Sequence, residues 1–483
     1  MGVADTALRK EGERVETHLP QKQSTRVLLL TLLFALLLFP SIRRPGLAGY
    51  DDSYWAHEGK EMVRTGDWWS VRFDGNFTLE HPPLFPWLEA ASFKVFGIHD
   101  WAAKFPSAVF GLATILLTYF LALELTGDSW LALMAMLVLG STQFFLKNAT
   151  HAMTDVTFTF FCTLALYFYV KGLKNPVYLA LLGFPLGAAV LTRSVVGFFV
   201  LGIILLHPLL TKKYGLLLSP WLVLGVMLAV AIPGAWYFSQ YRLHGGDFVR
   251  SHLQFVNGLI QANHGPKARV QGSNYVVALL KYYWPWLPFL LWGMFLQGRA
   301  AVRQEDGRAR LLFIWVLAVI LPFSLAQTKF PRYMIPLLPA FSIFSAMALN
   351  QWLPVARRKM FFYAACGIGC VAICLSLLIP PKGRAEDIVK LAPIVDANSA
   401  PGQRILIYTY EDGRTDYQYQ FLWYGSRYTR VLENLDDLVA WLHAGAATVI
   451  IDKQSYQKIL PALSGRSPRI VGESENLICF TVS

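Results

Sequence analysis

The sequence predicts an all-α polytopic membrane domain followed by a small α/β domain outside the membrane. The first observation is composition: of 483 residues, 55% are hydrophobic and 15% charged, against roughly 25% charged in a water-soluble chain. The second is patterning: mean hydropathy is +0.41, and about eleven apolar runs, thirteen at most, approach the length needed to cross a bilayer. The third is a shift after Pro380, where the chain turns polar.

Residues 1–26 form a charged tail carrying Arg9, Lys10, Arg14, Lys22 and Arg26. The run at 27–42 follows it without a small-residue cleavage site and reads as a retained anchor rather than a signal peptide. Further runs fall near 105–125, 130–147, 155–171, 177–192, 194–210, 216–238, 274–296, 310–327, 333–350 and 360–380. With the N-terminus cytoplasmic, alternate short loops carry Lys171 and Lys174, Lys212 and Lys213, Arg299 to Arg310, and Arg357 to Lys359. That is the basic bias of inside loops. The membrane domain then spans 27–380, with outer loops at 43–104 and 239–273.

The tail 381–483 contains strand-like runs at 404–410, 447–453 and 475–482, and a helix "LDDLVAWLHA" capped by Asn434 and stopped by Gly445. The 15 Trp, 21 Tyr and 33 Phe suit aromatic belts at two interfaces. Much of the net charge of +12 sits in short loops between apolar runs, which argues against a nucleic-acid partner. Cys162, Cys366, Cys370, Cys374 and Cys479 suggest no disulfide framework. The three at i, i+4, i+8 share a helix face in an apolar run and read as packing or lipid-facing residues.

Polar residues gather at the outer ends of the apolar runs. In "YDDSYWAHEG", Asp52 or Ser53 is expected to cap an interfacial amphipathic helix over about 54–65, ended by Gly66. Capping alone does not explain two acids, Asp51 and Asp52. In "LEHPPLFPW", Glu80 and His81 precede a Pro-Pro pair that fixes the backbone, so a rigid loop is the plain alternative. Asp155 opens a span after a very short loop, either as an N-cap or as a further outer carboxylate. Arg193, Lys329 and Arg332, the last beside Tyr333, are outer cations that need an anionic partner. His244, His252 and His264 fall in the 239–273 loop, His252 within a helical-looking stretch.

Carboxylates, cations and imidazoles at one face of an otherwise apolar domain suit a phosphate-bearing lipid substrate. Its phosphate would rest on Arg and Lys, and a carboxylate would take a proton from an incoming hydroxyl. The chain contains no Asp-x-Asp pair, P-loop or G-x-G-x-x-G fingerprint, so no nucleotide cofactor is expected. A transporter or flippase of lipid-linked sugars, or a non-catalytic binder, is the rival class, but no internal repeat is evident.

"YDDSYWAHEG", "TGDWW", "LEHPPLFPWLEAASFKVFGIHDWAAKFPSAVFG", the Asp155 segment and "KFPRYMIPLLP" resemble the C-type (GT-C) glycosyltransferases related to protein O-mannosyltransferases, nearest to the bacterial aminoarabinose transferase branch of lipid A modification. The likeness runs in order over roughly residues 26–350. It implies a GT-C fold in a bacterial inner membrane, a polyprenyl-phosphate sugar donor, and inverting transfer to lipid A, another envelope glycan or a protein. By motif, Asp51 and Asp155 would be catalytic, with Asp52 and Tyr54 in support. Arg193, Tyr333, Lys329, Arg332 and His81 would face the phosphate. Glu80 and His252 would hold a divalent metal such as Zn, Mg or Mn. His81 stands where the branch usually has Lys, and Arg193 where Lys is expected, so the resemblance fixes no donor sugar.

Overall fold

The structure is a computed structural model that describes residues 21–47, 49–261, 275–302, 307–325, 330–378, 385–408, 416–463 and 467–482. It is mostly helical. Helix α1 (Gln21–Ile42) is followed by α2 (Gly49–Thr65), a hairpin of β1 (Arg72–Phe73) and β2 (Asn76–Phe77), and α3 (Leu84–Phe96). The helices α4 (Asp100–Thr126), α5 (Ser129–Ser141), α6 (Gln143–Ala149), α7 (Thr154–Gly172), α8 (Val177–Leu181) and α9 (Gly183–Arg193) come next. A 3-10 turn, Ser194–Phe198, leads into α10 (Phe199–Leu210), α11 (Pro220–Gln261), α12 (Tyr275–Tyr282), α13 (Leu287–Val302) and α14 (Gly307–Leu325). A second 3-10 turn, Pro331–Leu337, precedes α15 (Leu338–Trp352) and α16 (Val355–Leu378).

Among the described residues, seven helices are long and apolar enough to cross a membrane, or eight if the pair α5–α6, bent by 64°, is one span. The chain is an integral membrane protein. Eleven runs were expected, and the difference has local causes. Val177–Leu210 counts as one apolar stretch, yet Ser194 takes φ 55°, ψ −149°, and Gly197 comes up against the backbone of Val190, so the chain turns there. The predicted 239–273 loop is helical as far as Gln261, because α11 continues through a kink at Gly245 (φ 59°, ψ −138°) that glycine tolerates.

Helices approach closely where glycine removes a side chain. A Cβ at Gly183 would stand 2.3 Å from the Gly225 carbonyl, between α9 and α11, and one at Gly293 would stand 2.0 Å from the Phe344 carbonyl, between α13 and α15. Such contacts replace the hydrophobic drive that lipid-facing helices lack. Cys370 and Cys374 on α16 are exposed, Cys366 is half-buried, and all three thiols are free.

Helix α2 corrects the sequence reading twice. It begins at Gly49, so Asp51 and Asp52 lie in its first turn rather than before it. It is also buried on nearly every side from Asp52 to Met62, packed on α3 and on a C-terminal helix, instead of lying in the interface. Gly66 does end it, at φ +74°, its N–H on the Met62 carbonyl at 3.0 Å. The hairpin turns at Asp74-Gly75 with φ 51° and 78°, a pairing that suits a two-residue turn.

The C-terminal part contains α17 (Glu386–Ala397), β3 (Ile405–Tyr408), α18 (Asp416–Tyr424), β4 (Thr429–Leu432), α19 (Leu435–Ala444), β5 (Ala447–Asp452), α20 (Lys453–Ile459), β6 (Arg469–Glu473) and β7 (Leu477–Val482). The strands form one sheet in the order β4-β3-β5-β7-β6, parallel in its first half and antiparallel in its second. Asn434 caps α19, accepting from the Asp436 N–H at 3.0 Å. Strands β4 and β6 were not read from the sequence, since their burial patterns lack a continuous apolar face.

Candidate functional site

Two acid–arginine pairs meet at one cavity. The first turn of α2 carries Asp51, which accepts from Nη1 of Arg332 in the second 3-10 turn. The first turn of α7 carries Asp155, whose Oδ1 accepts from Nη1 of Arg193 at 2.6 Å. Asp155 is buried, while Asp51 keeps about a third of its side chain open (1% and 32% exposed). Both acids act electrostatically on Arg332. Tyr333 lies within electrostatic reach of all four charges, stacks on Phe323 at 4.7 Å, and holds its ring 5.8 Å from the Arg193 guanidinium.

The pairs stand where two spaces join. One is a polar cavity of about 890 Å³, walled by Asp51, Glu80, Asp155, Arg332 and aromatic rings. The other is an apolar groove of about 340 Å³ lined by residues such as Val195, Val196, Phe199, Pro322 and Phe323. Trp55, His81, Thr154, Arg193, Phe255 and Tyr333 line both. Local backbone explains the junction: α9 ends at Arg193, and the left-handed Ser194 turns the chain so that this guanidinium faces α7. Left-handed backbone at a non-glycine residue costs energy and often marks a functional position.

The remaining sequence candidates divide. Glu80 and His81 line the polar cavity, and Tyr54 does as well. Burial, with His252 and Arg193 nearby, lowers the His81 pKa to about 3, so it faces the cavity as neutral imidazole. Burial also raises the Tyr54 phenol, with Glu58 beside it. Asp52 is outside the cavity lining. It is buried and both its oxygens lie 3.0 Å from Nδ1 of His151, bracing α2 against the loop before α7. Lys329 and His264 lie outside the described residues. His244 packs on Phe77 at 4.7 Å.

Among the described residues, no three His, Cys, Asp or Glu side chains are grouped as an ion would require. His252 places Nε2 2.7 Å from Ser194 Oγ and 3.3 Å from the Tyr237 hydroxyl.

Several lining residues were not singled out from the sequence: Tyr50, Phe73, Ser194, Phe255, Gln418 and Tyr419. Tyr50 directly precedes the acid pair Asp51 and Asp52. Gln418 and Tyr419 come from α18, more than 350 residues from Asp51 in the chain, and no local pattern marks them.

The family model described as dolichyl-phosphate-mannose-protein mannosyltransferase matches residues 80–237. An uncharacterised Aquifex aeolicus protein is 27% identical over 331 residues, covering 68% of this chain and 64% of that protein. The undecaprenyl phosphate-alpha-4-amino-4-deoxy-L-arabinose arabinosyl transferase 2 of Pseudomonas fluorescens is 26% identical over 341 residues, covering 68% of this chain and 61% of that protein. The chain thus spans less than two thirds of the length of these relatives. In three dimensions it is similar to ArnT from Cupriavidus metallidurans in the apo state, with TM-score 0.76 at 18% identity over 95% of this chain and 98% of that one. The same protein bound to undecaprenyl phosphate gives 0.75 at 17% identity, over 94% and 97%. The chain shares the fold of that ArnT, and its sequence is similar to the aminoarabinose transferases.

Proposed function

We propose that this chain is a membrane glycosyltransferase that moves a sugar from a polyprenyl-phosphate donor to a hydroxyl-bearing acceptor at the outer face of a bacterial inner membrane, with inversion. The observation that carries this reading is the seating of Asp51–Arg332 and Asp155–Arg193 where an apolar groove opens into a polar cavity. An amphiphile with an anionic head fits that junction: prenyl carbons along the groove, phosphate at Arg193 and Tyr333, sugar in the cavity.

In this reading the acceptor hydroxyl oxygen attacks the anomeric carbon from the face opposite the phosphate. The carbon–oxygen bond to phosphate breaks, the hydroxyl proton passes to the Asp51 carboxylate, and polyprenyl phosphate departs with the bonding pair. Asp51 suits the role because its carboxylate is the more open of the two. Asp155 orients Arg193, and the two guanidiniums stabilise charge growing on the leaving phosphate. Neutral His81 contributes a hydrogen-bonding edge rather than a charge. The acceptor is lipid A, another envelope glycan or a protein, and the tail from 381 to 483 lies on the same outer side.

Mass spectrometry of membrane glycolipids and envelope glycans, with and without the active chain, tests the reading. A sugar lost from one glycan in the absence of the chain, and restored by wild type but not by Asp51→Asn, supports it. Restoration by Asp51→Asn at the wild-type level points instead to a flippase or a binder.

A further inference from the structure

We propose that the C-terminal domain completes the reaction cavity, and that Tyr419 on α18 is a specificity-determining residue for the acceptor. This rests on the glycosyltransferase reading of the same site. Tyr419 and its neighbour Gln418 line the polar cavity but not the apolar groove. Arg193, His81 and Tyr333 line both and so mark the donor side. A wall that touches only the polar lobe faces the space left for the second substrate, and that lobe of about 890 Å³ is far larger than one sugar ring.

Tyr419 also shares the polar cavity with the reacting carboxylate of Asp51. Its ring meets Tyr50 edge-on at 4.2 Å, and Tyr50 directly precedes Asp51. Phe73 of the hairpin lies 5.4 Å away, and Tyr54 stacks on Phe73 at 4.6 Å. These rings form a continuous aromatic surface next to Asp51, contributed by α2, the hairpin and the C-terminal domain.

The wall is held in place. Lys60 on α2 is buried and donates to the carbonyls of Leu422, Trp423 and Gly425 at 3.0, 2.6 and 2.8 Å, which are the open carbonyls at the end of α18. His57 Nδ1 adds a contact to the Leu422 carbonyl at 3.0 Å. Asp100 accepts from the Trp423 indole at 2.8 Å and from the Tyr424 hydroxyl at 3.1 Å. On the hairpin, Asp74 accepts from the N–H and hydroxyl of Thr429 at 2.8 and 3.0 Å, and Gln418 donates to that same hydroxyl oxygen at 3.0 Å. A domain bolted to the catalytic helix by buried polar contacts fixes where Tyr419 stands.

The test uses the full-length chain in membrane vesicles that carry the cell's own lipid-linked donors and acceptors. It is paired with purified protein and undecaprenyl phosphate as the donor-side probe. Tyr419→Ala is expected to lower transfer at least about tenfold, with recovery when acceptor-bearing membranes are supplied in excess, as loss of an acceptor contact requires. Its thermal stabilisation by undecaprenyl phosphate should match wild type, and Tyr419→Phe, which keeps the ring, should transfer within about threefold of wild type. Wild-type transfer by Tyr419→Ala overturns the proposal. So does loss of the undecaprenyl phosphate effect in parallel with transfer, which would mark Tyr419 as general packing. Absence of both transfer and stabilisation in the wild-type protein would instead overturn the glycosyltransferase reading on which the proposal stands.

Discussion

Arg193 reaches across from the end of α9 to Asp155 in the first turn of α7, Nη1 to Oδ1 at 2.6 Å. This contact ties a basic residue at a strained turn to an acid whose side chain is only 1% exposed. Removing Arg193 leaves the Asp155 carboxylate buried and without this partner, which is why the pair is a sensitive place to probe.

Asp51→Asn should lower transfer by a factor of about 10²–10⁴, the range a positioned proton acceptor supplies. Asp155→Asn should cost at least about tenfold through misplacement of Arg193. Initial rates of sugar transfer check both, and near-normal rates in the pair of variants would remove the roles assigned to them.

Arg193→Lys keeps the charge but loses the planar fork that serves Asp155 and a phosphate together. The expected result is a fall of about tenfold or more in kcat/KM for the donor. Titration of undecaprenyl phosphate should show weaker binding in step, and unchanged binding would place the phosphate elsewhere.

Acid should loosen the C-terminal domain. Burial and the neighbouring Lys60 charge lower the His57 pKa from 6.5 to about 3, and its Nε2 accepts from the Asp74 N–H at 3.3 Å. Between these values the unfolded chain binds a proton that the folded chain does not. The stability contributed by neutral His57 is complete above about pH 6.5 and drains away as pH falls towards 3. Hydrogen exchange in α18, corrected for intrinsic rate, should rise on going from neutral pH to pH 5 in wild type. Flat exchange across that range would contradict the assignment.

If Glu80 and His252 hold a divalent metal, chelation should slow transfer. Elemental analysis of purified protein and a transfer assay with chelator are the measurements. Stoichiometric metal whose removal abolishes transfer supports that site, and unchanged transfer with no bound metal removes it.

Much of the cavity lining was legible because its residues fall in a few short stretches of the chain. Asp51, Asp155, Arg193, Arg332 and Tyr333 stand near the ends of apolar runs, and Glu80 and His81 beside a Pro-Pro pair in the outer loop, where a polar side chain is conspicuous against its surroundings. The role of Asp52 was not legible, since adjacent acids on a helix point some 100° apart and only the packing shows which one faces the cavity. Asp52 turned inward to His151, and Asp51 to Arg332.

The sequence by itself determined the membrane class, the apolar runs, the helix stop at Gly66 and the acids and cations available for chemistry, because these follow from hydropathy and short-range backbone preference. Tertiary structure alone decided that Arg332 pairs with Asp51 across 281 residues and that Tyr419 meets Tyr50 from the C-terminal domain. Such pairings depend on how buried polar groups satisfy one another once helices are packed, and no sequence period records that choice.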